Sequence, residues 1–243
     1  MSHRGPGGAL MPALRCRILL HGLAVEKLSK AALDRSAAMH TAQRVVAAWT
    51  EPADDDGAAH LLAVARAEFG RRGYEATTVR DIAAAAGLST GTVYRMFGSK
   101  DELLGAIMGT FIENVTAAWN AVLRSPSSAV EKLDALMWVS IMVLDRFSDE
   151  YRIQLAWLRQ SPPSTMDLSA PSVAQLRQVK SLLAAGTRDG QLHIEGANAD
   201  MRARCVVELI WTPETIVRSS GLQRAHALAR DAVLRGAAMR AGK

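Results

Sequence analysis

Between residues 58 and 108 a helical hydrophobic pattern is interrupted at short intervals, and each interruption carries a glycine or a hydroxyl side chain. That punctuation leaves room for little besides short helices joined by tight turns. Leu61, Leu62, Ala65 and Phe69 recur at helical spacing, with Arg66, Glu68, Arg71 and Arg72 mostly on the other side. Gly70 and Gly73 close this helix. Thr78 followed by Asp81 has the spacing of a capping box, which opens a second helix with Val79, Ile82, Ala83 and Ala86 along one stripe. Gly87 supplies the positive φ that a tight turn between helices needs, and Leu88 plugs the core behind it. Ser89 caps a third helix over residues 90–97, with Val93 and Phe97 facing inward and Thr90, Gly91, Tyr94 and Arg95 facing out. Gly98 stops it, and Ser99 with Glu102 forms a second capping box for a fourth helix.

The outward face of the third helix has the chemistry of a major-groove reader. Hydroxyls and free amides at a helix N-terminus bind phosphates or base edges. Gly91 lets the backbone come close to a duplex. Arg95 reaches a guanine edge or a phosphate, and Tyr94 and Lys100 are placed for phosphates.

The run from Phe69 to Leu104 follows F-x-x-x-G-Y-x-x-T-T-x-x-x-I-A-x-x-A-G-L-S-x-G-T-V-Y-x-x-F-x-S-K-x-E-L-L. On those residues, 58–108 closely resembles the DNA-binding domain of TetR-family (tetracycline-repressor-type) regulators. By that resemblance the contact positions are Val79 and Arg80 at the second-helix start, then Ser89, Thr90, Gly91, Tyr94, Arg95 and Lys100. Thr92, on the first turn of the third helix, is grouped with them. Phe69, Ile82, Leu88, Val93 and Phe97 read as core. The resemblance also implies a homodimer on a palindromic double-stranded operator, acting as a repressor that a small effector releases.

Composition is compatible with this. The net charge of +5 suits an anionic partner, though many basic proteins have none. Cys16 and Cys205 make no disulfide framework and suggest a reducing cytoplasm. No apolar run approaches membrane-spanning length. No His/Cys spacing marks a metal, and no nucleophile, base or phosphate loop marks an enzyme or a cofactor site.

The expected class is all-α, with about nine helices in three stretches. Residues 1–57 form an extension and an acidic helix-breaking linker, partly disordered or one helix. For the extension three readings stand open: a basic arm on DNA, a helix docked on the body, or an artefact of start-codon choice, Met39 lying near the usual family start. Residues 58–104 form the helix-turn-helix domain, and 105–243 a helical effector-binding and dimerisation domain.

In that last stretch large soft side chains are concentrated, and Trp119, Met137, Trp138, Ile141, Trp157 and Trp211 are candidate linings for an apolar effector, with Gln154 and Glu208 as polar candidates. Core packing is the competing reading for each. Ala225, Ala229, Ala232 and Gly236, flanked by Leu228 and Val233, form a smooth stripe for a close helix–helix contact, and Val207 and Ile210 give the preceding helix an apolar face. These eight residues are the expected dimer interface, with packing inside the single chain as the alternative. A different class of reading makes the helical body a protein-interaction module with a DNA-binding head.

Overall fold

Helix follows helix through the computed structural model, which describes residues 7–49, 57–160 and 168–237. Among these are thirteen α-helices and one π-helical turn. Residues 51–56, most of the expected acidic linker that ends at Gly57, lie outside the described residues. The chain divides into two compact units. One comprises Ala48–Thr116 and Arg146–Ser172, the other Met1–Ala47, Ala117–Asp145 and Val173–Lys243.

The first unit holds α4 (Gly57–Arg72), α5 (Val79–Ala85), α6 (Thr90–Phe97), the first part of α7 (Lys100–Arg124) and α9 (Ser148–Gln160). Its joints follow the capping chemistry of the sequence. Thr78 Oγ1 accepts from the Asp81 amide at 3.1 Å, and the Asp81 carboxylate accepts from the Thr78 amide at 2.9 Å. Gly87 takes φ +67°, which turns the chain from α5 towards α6. Leu61, Ala65 and Phe69 bury one face of α4, and α9 packs on this helix. Removing a fully buried ring such as Phe69 costs about 3–5 kcal/mol.

The second unit holds α1 (Gly7–His21), α2 (Lys30–Asp34), α3 (Ala37–Ala47), the rest of α7, α8 (Ala129–Arg146, to Asp145), α10 (Ala170–Arg188, from Val173), α11 (Ala199–Ile210), α12 (Glu214–Ser220), α13 (Leu222–Arg230) and the π turn Asp231–Arg235. α8 is its centre and is buried along nearly its whole length.

Three helices occupy the N-terminal stretch where one was expected. The chain breaks at Gly22, where φ is +78° and a Cβ would meet Leu234 O at 2.4 Å. It breaks again at Arg35, before Ser36, whose Oγ accepts from the Met39 amide. Leu14, Ile18, Leu23, Leu33, Met39 and Val46 are all buried. Backbone bonds add to the apolar contacts: Leu23 and Ala24 amides donate to Val233 O and Leu234 O at 2.9 and 3.0 Å, and the His193 amide donates to Leu23 O at 2.8 Å.

The other added helix comes from Pro213. The sequence predicts one helix over 200–219, kinked at Thr212-Pro213. Instead α11 ends at Ile210 and α12 begins at Glu214, because proline has no amide to continue the ladder.

A buried charge cluster lies in this unit. Arg230 grips Asp134 with two bonds, Nε to Oδ1 at 2.7 Å and Nη2 to Oδ2 at 2.8 Å, and Nη2 also reaches Asp34 of α2 at 2.7 Å. His226 Nε2 lies 3.1 Å from Asp134 Oδ1. Burial works to raise the Asp134 carboxyl, but hydrogen bonds from His226 and Arg230 outweigh it and hold the group below its ordinary value. A carboxylate with a lowered folded value contributes stability that is present above its unfolded value, about 3.9, and lost as pH falls through the folded one. The expected result is that wild type and Asp134→Asn differ most in thermal midpoint near neutrality. The gap should narrow as pH drops below about 4. A gap that is flat with pH would contradict this assignment.

Candidate nucleic-acid interface

α6 is short and two-faced. Val93 is buried, Phe97 is half-buried, and Thr90, Gly91, Tyr94 and Arg95 are exposed. Tyr94 is 52% exposed, an unusual state for an aromatic side chain in a small helical unit. Ser89 Oγ accepts from the Thr92 amide at 3.1 Å and lies 2.9 Å from Thr92 Oγ1, and Arg95 Nη2 donates to Thr92 Oγ1 at 3.4 Å. The hydroxyls at the start of α6 thus brace its first turn, and Arg95 leans back along it.

The remaining expected contact positions divide. Arg80 is exposed on the first turn of α5, whereas Val79 beside it is buried and faces the core. Lys100 is half-buried, with its ammonium 4.0 Å from the centre of the Tyr74 ring, and burial lowers its pKa. The Tyr74 hydroxyl donates to Asp101, and burial together with that carboxylate raises the phenol so that it keeps its proton. Tyr74 also meets Phe69 and Trp157, with ring centres 5.5 Å apart in both pairs. Tyr74 is a fixed position of the pattern that runs from Phe69 to Leu104, but its partners Asp101 and Trp157 are not legible from it.

Residues 61–107 match the family described as bacterial regulatory proteins, tetR family. The HTH-type transcriptional repressor KstR2 of Mycobacterium tuberculosis is 35% identical over 85 residues, which is 35% of this chain and 42% of that repressor, so the alignment spans less than half the length of this relative. KstR2 of Rhodococcus jostii is 27% identical over 183 residues, 70% of this chain and 86% of the relative. The helix-turn-helix domain is that of the TetR family. Its fold is like that of the solved ketosteroid transcriptional regulator KstR2 of Mycobacterium tuberculosis, with a TM-score of 0.63 at 23% identity, covering 74% of this chain and 96% of that one. It is also like AibR, solved in complex with isovaleryl coenzyme A and operator DNA, with a TM-score of 0.59 at 18% identity, covering 74% and 98%.

Beyond this TetR-type domain, the eight residues expected around an effector fall in both units. Gln154 and Trp157 belong to the helix-turn-helix unit, where Gln154 Nε2 donates to Leu168 O at 3.3 Å and Trp157 packs on Tyr74. Trp119, Met137, Trp138, Ile141, Glu208 and Trp211 belong to the other. Met137 and Ile141 are fully buried core. Trp138 stacks on His226 with ring centres 5.4 Å apart. Glu208 is exposed and paired with Arg15 of α1. The indole N–H groups of Trp119 and Trp138 are buried with no hydrogen-bond partner among the described residues. None of the eight lines the cavity of about 370 Å³ beside α1 or the one of about 300 Å³ in the helix-turn-helix unit.

The residues expected at a dimer interface are mostly internal. Ile210, Ala225, Ala229, Val233 and Gly236 are buried within the chain, Val207 and Ala232 are half-buried, and Leu228 is exposed. The reason is α1: a Cβ on Gly236 would lie 2.4 Å from the His21 carbonyl carbon, so the smooth end of the stripe meets the N-terminal segment. Leu228 and Ile216 are what the last helices leave exposed. Among the described residues no group of three or more His, Cys, Asp and Glu side chains converges as a metal ion would require, and no helix is long and apolar enough to cross a membrane.

Proposed function

We propose that the protein is a transcriptional repressor that binds a palindromic operator as a homodimer and is released by a small, largely apolar effector. The observation that carries the DNA-binding part is the exposed face of α6, with Thr90, Gly91, Tyr94 and Arg95 presented to solvent by a capped helix whose other face is fixed by Val93. The relatives named as repressors support the sign of regulation. The effector reading rests on the two unsatisfied indole N–H groups of Trp119 and Trp138. A buried donor without an acceptor costs about 1–3 kcal/mol, so an apolar molecule carrying a carbonyl oxygen suits this unit. KstR2, described as a ketosteroid regulator, and AibR, solved with an acyl thioester, are in keeping with that chemistry. Release follows if the effector favours a conformation in which the spacing of the two recognition helices no longer matches successive major grooves. α7, which starts at the Ser99 cap beside α6 and runs on into the second unit, is the element to carry that change.

The test is fluorescence anisotropy on the duplex upstream of the coding region, across a salt series. Specific, salt-dependent binding is expected. Arg95→Ala should weaken it by about 1–3 kcal/mol if the guanidinium reads a base, or lower the salt slope by about one if it holds a phosphate. Arg95→Ala binding as wild type does at every salt concentration would remove α6 as the reading helix. A ketosteroid or isovaleryl coenzyme A that releases the duplex would give the effector class, whereas release by neither removes those two.

A further inference from the structure

Tyr74 is not among the expected DNA contacts, yet it is fastened on three sides. Phe69 of α4 and Trp157 of α9 meet its ring, and its hydroxyl donates to Asp101 of α7. The Lys100 ammonium lies over this same ring, 4.0 Å from its centre, well inside the range of about 6 Å over which a ring face attracts a cation.

An aromatic face suits a cation that has a second task. A carboxylate would hold the ammonium and cancel its charge, whereas a ring holds it through its quadrupole and leaves the charge intact. Glu75 and Asp101 are the carboxylates whose fields reach Lys100, and neither comes within ion-pair distance of it. Asp101 follows Lys100 on α7, and helix neighbours at i and i+1 do not face each other. Burial outweighs both fields and lowers the Lys100 pKa, so the ammonium lacks part of the hydration it has in water. A phosphate oxygen makes up that deficit with a charge-assisted bond. The ring also restricts a flexible four-carbon stem that DNA binding would otherwise have to order.

We propose that Tyr74 is a positioning residue for operator binding, its ring presenting the Lys100 ammonium to a backbone phosphate. That role rests on the proposed operator binding and adds to it a residue that touches no DNA itself. Phe69 and Trp157 fix the ring, so the geometry offered to the phosphate is set from the core of the unit.

Fluorescence anisotropy of the full chain on the duplex upstream of the coding region, across a salt series, tests this. Lys100→Met should lower the salt slope by about one for each half-site, the share of one phosphate contact. Tyr74→Leu should lose at least about half of that, whereas Tyr74→Phe, which keeps the ring face, should hold the wild-type slope. In a Lys100→Met background, Tyr74→Leu should change the slope no further. Unfolding lowers the amount of protein that binds and not the slope, so a merely structural Tyr74 would leave the slope alone. If dichroism shows Tyr74→Leu unfolded, Tyr74→Met, an unbranched side chain that fills irregular space, takes its place. Specific wild-type binding with an unchanged slope in Lys100→Met or Tyr74→Leu would overturn the role of Tyr74 alone. So would Tyr74→Phe as impaired as Tyr74→Leu, or a further loss in the double variant. No specific binding by wild type would remove the operator reading and this role with it.

Discussion

Arg230→Met is expected to destabilise the protein by about 3–5 kcal/mol, the cost of stranding a buried charge. Asp134 is fully buried on α8, and its two oxygens accept from Nε and Nη2 of Arg230. Methionine matches much of the arginine stem in volume, so the lost fork dominates over lost packing. His226 stays beside the carboxylate, which sets the lower end of the range. Replacing both members, Arg230→Met with Asp134→Leu, should recover most of the loss, because an apolar pair of similar size has no desolvation penalty to offset. Chemical denaturation of the single and double variants checks this. If the double variant is as unstable as the single one, shape and not charge is what the cluster supplies.

A chain beginning at Met39 should lose the fold of the second unit. It would lack α1 and α2, and with them the buried side chains Leu14, Ile18, Leu23 and Leu33. Each such side chain contributes about 1.5–3 kcal/mol, against a net stability for a whole domain of about 5–15 kcal/mol. The area-based figure is an upper estimate, yet even half of it removes most of the margin. The truncation also strips Asp34 from Arg230 and leaves the Val233 and Leu234 carbonyls without their donors from Leu23 and Ala24. The readout is the thermal midpoint and denaturant slope of the truncated chain beside the full one. An unchanged midpoint would restore the reading of this segment as dispensable, and an unchanged midpoint with a shallower salt dependence on DNA would restore the basic arm.

The helix-turn-helix was legible because its determinants are local. Thr78 with Asp81, Ser89 with Thr92, and Ser99 with Glu102 are caps spanning three residues, and each forms as the spacing implies. The outward face of α6 followed from the same period, since Val93 had to be inside. Val79 shows the limit of that reasoning. Its contact role came from resemblance, while its own place on the apolar stripe with Ile82 and Ala83 already pointed inward, where the structure has it. The small-residue stripe of the last helices was equally visible as a close-packing surface, but a stripe does not name its partner. In this chain the partner of Gly236 is the backbone at His21 and Gly22.

The all-α class, the order and bounds of the helix-turn-helix, and the side chains α6 presents were determined by the sequence alone, through hydrogen bonds and apolar periods that reach three or four residues along the chain. Only the tertiary structure decided that the N-terminal segment is three helices within a folded unit, that Trp157 serves Tyr74, and that Arg230 joins Asp134 and Asp34. Those partners are 96 and 196 residues from Arg230 in sequence. At such separations any arginine can meet any carboxylate, and the choice is made by which apolar faces bury one another first and so leave these charges enclosed together.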